Sequence, residues 1–149
     1  MKIGGTHRLA VPQDRAYQLL QDPAVLCRCM PGCESLELAG ENEYAMKMKM
    51  VLAAISGQFA GKVRIADQEA PQRFRLIVEG SGKIGFMKGD GMLTLNAVDG
   101  GTDVAFDGEV QVGGTIASVG QRLIDTTAKM LIKRFFDKIA AETAAAGAA

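Results

Sequence analysis

From Cys33 to Gly113 the chain alternates apolar and polar residues in short runs, separated by polar or glycine-rich turns. Tyr44, Met46, Met48 and Met50 interleave with Ala45, Lys47 and Lys49, the pattern of a half-buried strand. Residues 34–38 form the strand before it, turning at Gly40-Glu41-Asn42, and 53–55 either continue the methionine strand or loosen into a connection. Phe59, Gly61, Val63 and Ile65 share one face of the next strand; Phe74, Leu76 and Val78 share one face of another, which ends in Gly80-Ser81-Gly82. A glycine-rich loop, 85–91, leads into a strand at 92–98, and Val104, Phe106, Gly108, Val110 and Val112 belong to the last. Ahead of all these, residues 2–11 read as a first strand ended by Pro12. Two short helices follow, 13–21 with Tyr17, Leu19 and Leu20 inward, then 22–30 with Asp22 as cap and Pro23 in the first turn.

After Gly113 the period changes. Ile116, Val119, Leu123, Ile124, Thr127, Met130, Leu131 and Phe135 recur at three and four residues, and Phe136 and Ile139 widen the stripe. With Thr115 as N-cap and no proline to interrupt, this predicts one helix over 113–143, roughly 40 Å long. Such a helix is marginal alone and needs a broad apolar cover. Seven strands joined by short turns supply it. The expected fold is α+β: a seven-stranded curved antiparallel sheet wrapped around a long C-terminal helix, with two short helices after the first strand. No repeat or linker divides the chain, so residues 1–149 form one domain, with a frayed tail at 144–149.

Charge narrows the function by exclusion. Seventeen basic and seventeen acidic residues balance, and aromatics are few, which disfavours nucleic acid. Lys129, Lys133, Arg134 and Lys138 make a local basic face, read as a solvated surface suited to the helix dipole or as a membrane-docking patch. With no signal-like segment and no run long enough to span a bilayer, the expected location is cytoplasmic, with transient contact at the inner face of the membrane left open. His7 is the single histidine, which excludes a histidine-dependent triad or paired-histidine metal site. Cys27, Cys29 and Cys33 match no common zinc or iron–sulfur spacing and read as small hydrophobes in a reducing compartment, with redox or assembly contact as alternatives. Gly85 to Gly91 lacks the ending of a phosphate-binding loop, and no carboxylate pair stands out. No catalytic residue, metal site or resident cofactor is expected. Two features exceed folding grammar: glycines inside strands, which permit either curvature or an internal cavity, and methionines, adaptable fillers suited to irregular apolar ligands.

Specific segments add a family resemblance. Lys2-Ile3-Gly4-Gly5, Pro12, Asp22-Pro23 with Leu26, Pro31-Gly32-Cys33-Glu34, Gly57 through Gly61, and Pro71 occur in order. Glu79-Gly80-Ser81-Gly82, Gly85-Phe86 with Gly89, Val110-Gln111-Val112-Gly113-Gly114, then Ala117, Gly120, Arg122-Leu123-Ile124 and Phe135-Phe136 complete the set. In this order the chain resembles the carbon monoxide dehydrogenase CoxG family, a branch of the START-like (SRPBCC), helix-grip superfamily that includes the birch-pollen allergen proteins. The resemblance implies a cavity closed by the long helix and an accessory role beside a molybdenum hydroxylase of the CO-dehydrogenase type. Some family members resemble carriers of hydrophobic quinones. Membrane-linked members carry a long C-terminal extension, so a soluble accessory role is the expectation here, as monomer or homodimer.

The candidate ligand cavity is Met46, Met48, Met50, Phe59, Phe74, Leu76, Phe86, Met92 and Phe106, with Ile116, Leu123 and Ile124 from the helix. Entrance loops or a partner surface would comprise Cys27, Met30, Pro31, Gly32, Cys33, Gly85, Met87 and Gly89. The leading expectation is a non-enzymatic accessory protein that binds a quinone, an isoprenoid or another apolar ligand. The alternatives are an assembly factor with an incidental cavity and an enzyme acting inside the cavity.

Overall fold

The computed structural model describes residues 1–52 and 54–148, with Leu52 and 144–148 described by backbone alone. Seven antiparallel strands form one sheet: β1 Lys2–Leu9, β2 Cys33–Gly40, β3 Glu43–Leu52, β4 Ile55–Glu69, β5 Arg73–Gly82, β6 Gly85–Val98 and β7 Gly101–Gly113. Their spatial order is β1-β7-β6-β5-β4-β3-β2. β2 to β7 are therefore a continuous meander, and β1 closes against the last strand. Helices α1 (Gln13–Leu19) and α2 (Pro23–Cys29) carry the chain from one sheet edge, β1, to the other, β2. Asp22 caps α2 by accepting from the Ala24 amide at 2.9 Å, with Pro23 in the first turn where its missing N–H costs nothing. Helix α3 (Gln121–Ala148) lies against the concave face, with contacts to β1 and α2. Arg28 and Glu142 join α2 to α3 at 2.5 Å.

Three expectations change. The glycine-rich stretch 85–91 is not a loop but the first half of β6, paired on both sides, Gly89 to Val78 and to Val110. Glycine weakens a lone strand, but pairing on both flanks holds it extended. The long helix does not begin at Thr115. Residues Thr115–Val119 form a short 3-10 turn, and Gly120 follows with φ +99°, a left-handed value that an α-helix cannot contain and that L side chains resist. α3 starts beyond it and its backbone stays helical through Ala148; Ala149, the end of the expected frayed tail, lies outside the described residues. Of the ambiguous segment 53–55, Ala54 is a turn and Ile55 opens β4, and Ala53 lies outside the described residues.

The core comes in two pieces. The larger joins Leu9, Leu20, Leu26, Phe74, Leu95 and Val104 with Phe135, Phe136 and Ile139 of α3. Thr102, fully buried, donates its hydroxyl to the Val11 carbonyl at 2.8 Å and so secures the chain between β1 and α1. The smaller piece is Phe59, Ile116 and Ile124. Between the two, the middle of α3 is only half-buried at Thr127, Ala128, Leu131 and Ile132, although these residues face the sheet. Their missing neighbours are an internal void.

Candidate functional site

The void occupies about 290 Å³ between the concave face and α3, near the lower end of the roughly 300–1,000 Å³ usual for small-molecule sites. β3 contributes Met46, Met48 and Met50; β4 Phe59 and Val63; β5 Leu76 and Val78; β6 Met87, Gly89, Gly91 and Leu93. β7 adds Phe106, Gly108, Val110 and Val112. Ile116 and the face of α3 from Ile124 to Phe136 form the opposite wall, and Leu26, Met30, Cys33 and Leu36 close the side where α2 meets β2. Alternation along each strand explains the membership. Lys47 and Lys49 point to solvent while the methionines between them point in.

Polar chemistry is turned away. Asp90 borders the void, but its carboxylate belongs to Arg75, which donates Nε to Oδ1 at 2.7 Å on the outer face. The Arg75 hydrogen bond holds the Asp90 carboxyl below the usual carboxylate range, so it is an anion committed to an exposed pair. Only Cys33 and Thr127 otherwise bring heteroatoms other than methionine sulfur to the lining. His7 stands behind the wall, stacked on Phe136 at 4.2 Å between ring centroids and 5.9 Å from Phe106. Burial lowers its pKa from 6.5, against a smaller upward pull from Asp137. Among the described residues no group of three His, Cys, Asp or Glu side chains could hold a metal ion. No described helix is long and apolar enough to cross a membrane. The arrangement can shelter an apolar molecule, and it brings no acid, base and nucleophile together among the described residues of the void.

Of the twelve residues expected from sequence to line the cavity, Met46, Met48, Met50, Phe59, Leu76, Phe106, Ile116 and Ile124 are at its wall. Four are elsewhere. Phe86 and Met92 project from the other face of β6: the Lys83-Ile84 turn pairs Gly82 with Gly85 and so Leu76 with Gly91, which puts the odd-numbered residues of β6 inward. Phe86 is 43% exposed. Phe74 faces inward but lies deeper, fully buried, its ring edge-on to Tyr17 at 5.5 Å. Leu123 packs beside the Phe59 cluster, one position off the lining face of α3. Of the expected entrance residues, Met30, Cys33, Met87 and Gly89 reach the void, and Cys27, Pro31, Gly32 and Gly85 do not. Leu93, Val110 and Val112 line the void without having been expected there. Fixing the β5–β6 turn at residues 83–84 finds Leu93, because it then opposes Phe74.

The model of the carbon monoxide dehydrogenase CoxG family matches residues 5–144. The chain belongs to this family. A conserved protein of Geobacillus kaustophilus has a crystal structure similar over 97% of this chain and 95% of that one, with 33% identity and a TM-score of 0.91. More distant likenesses show the fold alone. One is a Mycobacterium smegmatis protein at 17% identity and TM-score 0.71, covering 97% of this chain and 92% of that one. Another is an aromatase/cyclase of Streptomyces sp. R1128 at 12% identity and TM-score 0.67, covering 96% and 93%. No curated protein gives a significant match. Within the CoxG family, then, this chain has a helix-grip fold whose grip is incomplete: sheet and helix enclose space instead of touching throughout.

Proposed function

We propose that this protein binds one elongated apolar molecule, a quinone or other isoprenoid, between sheet and α3. In this role it serves as a non-enzymatic accessory protein of a molybdenum-containing oxidoreductase of the CO-dehydrogenase type in the cytoplasm. The observation that carries the ligand reading is the void of about 290 Å³ with a nearly continuous apolar wall. The family supports the partner.

Magnitudes favour a ring with a tail. A bare ring of six carbons recovers about 5 kcal/mol on burial, little more than the least association cost of about 4 kcal/mol. Micromolar affinity, about 8 kcal/mol net, needs about fifteen buried carbons, the size of a quinone ring with two isoprene units. Calorimetric titration of delipidated protein with such a two-isoprene quinone tests this directly. The expected result is saturable uptake of one equivalent with a negative heat-capacity change. No uptake at solubility, with binding to the oxidoreductase intact, would leave the assembly-factor reading in its place.

A further inference from the structure

Two thiols meet where α2 gives way to β2. Cys27 is in the last turn of the helix, Cys33 is the first residue of the strand, and their Sγ atoms are 2.6 Å apart. The backbone between them is held independently of the sulfurs. Met30 N–H donates to Leu26 O at 3.0 Å, Cys33 N–H to Met30 O at 3.1 Å, and Lys49 N–H of β3 to Gly32 O at 2.8 Å. The third cysteine is separate: Cys29 is 1% exposed and packs in the larger core piece. A framework of hydrogen bonds therefore presents one specific sulfur pair, not three interchangeable thiols, within about 1 Å of the roughly 2.05 Å covalent separation.

We propose that Cys27 and Cys33 are a redox modification site that closes reversibly into an intramolecular disulfide, with a low-molecular-weight disulfide as oxidant. Burial, together with the adjoining Cys27, pushes the Cys33 thiol up to about 12, so the first attack falls to Cys27. The Cys27 thiolate attacks one sulfur of the oxidant, breaking its S–S bond and releasing one small thiolate. Cys33 then gives up its proton and attacks the Cys27 sulfur of the mixed disulfide, and the second small thiolate leaves. The two protein thiols lose two electrons and two protons in total; the oxidant accepts both pairs and becomes two thiols. The new bond ties the end of α2 to the sheet edge beside Met30, which fronts the void. In a reducing compartment a bond of this kind is regulatory and transient. Its formation does not depend on what the void binds.

The test is incubation of the full chain with oxidised glutathione, then alkylation under denaturing conditions, intact-mass measurement and peptide mapping. The expected result is a loss of two hydrogens, one alkylatable thiol at Cys29, a Cys27–Cys33 linked peptide, and full reversal by dithiothreitol. Cys27→Ser and Cys33→Ser each lose the linkage, and Cys29→Ala keeps it. Mapping the unsubstituted chain identifies the linked pair even where a variant fails to fold. Three alkylatable thiols after incubation, a linkage through Cys29, or glutathione adducts that never resolve would each overturn the proposal.

Discussion

Gly89 offers a direct way to separate the void from the sheet that surrounds it. It sits on β6 at the cavity wall, and a Cβ added there would meet only Val110 Cγ2 at 3.9 Å and Val78 Cβ at 4.0 Å, ordinary contact distances. A leucine side chain at this position therefore has room to extend inward. Four newly buried carbons are worth about 3 kcal/mol at about 0.8 kcal/mol each. Removing glycine's unfolded-state freedom adds about 0.5–1 kcal/mol, and ordering the leucine rotamer costs about 0.5–1 kcal/mol. Gly89→Leu should accordingly stabilise the delipidated protein by about 1–3 kcal/mol in urea unfolding with an unchanged m-value. The same substitution should weaken two-isoprene quinone binding, since displacing even two buried ligand carbons costs about 1.6 kcal/mol, more than tenfold in Kd. Gly61 is the control. Its Cβ would fall 1.8 Å from the Glu79 carbonyl oxygen, so Gly61→Ala must push β4 and β5 apart and should destabilise by about 1–3 kcal/mol or more. A Gly89→Leu protein less stable than the parent, or one that binds quinone undiminished, would refute the void as the ligand's place.

Other perturbations report on neighbouring parts of the structure. Phe74→Ala, in the dense core below the void, should cost about 3–5 kcal/mol in chemical unfolding while leaving quinone Kd within about threefold. Thr102→Val orphans the buried Val11 carbonyl and should cost about 1–3 kcal/mol by the same assay. His7 has its folded-state pKa held below the unfolded value of 6.5, chiefly by burial, with Asp137 and Lys133 as the charged neighbours. Its contribution is thus intact above pH 6.5 and is lost as pH falls from there through the folded pKa, because the unfolded chain binds the proton more tightly. Thermal midpoints compared between about pH 7.5 and pH 5 should show that fall diminished in His7→Phe, which keeps the stack on Phe136.

Much of this architecture is legible in the alternation of the strands, because a period of two fixes which side chains share a face once one of them is known to be inside. Met46, Met48 and Met50 are the clearest case: the lysines between them settle their direction. β6 lacks such a marker. Gly85, Gly89 and Gly91 carry no side-chain signal, so hydrophobicity alone points Phe86 and Met92 inward, and only the register with β5 puts them outside. The stripe on α3 carries a similar ambiguity. Met130 fits a helical period, yet it is 41% exposed, whereas Ala128 and Ile132 line the void. The break at Gly120 is equally hidden, since an isolated glycine in a helical pattern does not announce a left-handed φ. Least legible is the void, for a residue that lines empty space and one that fills it obey the same parity.

If the space between sheet and α3 holds a ligand in the cell, that ligand should survive gentle purification. Native mass spectrometry on the protein from its own host, followed by denaturing analysis of whatever is released, is the decisive measurement. The expected result is one equivalent of an apolar molecule with a ring and an isoprenoid tail, absent from Gly89→Leu prepared in parallel. A mass equal to that of the bare chain, together with failure to take up the two-isoprene quinone in titration, would contradict the proposed role.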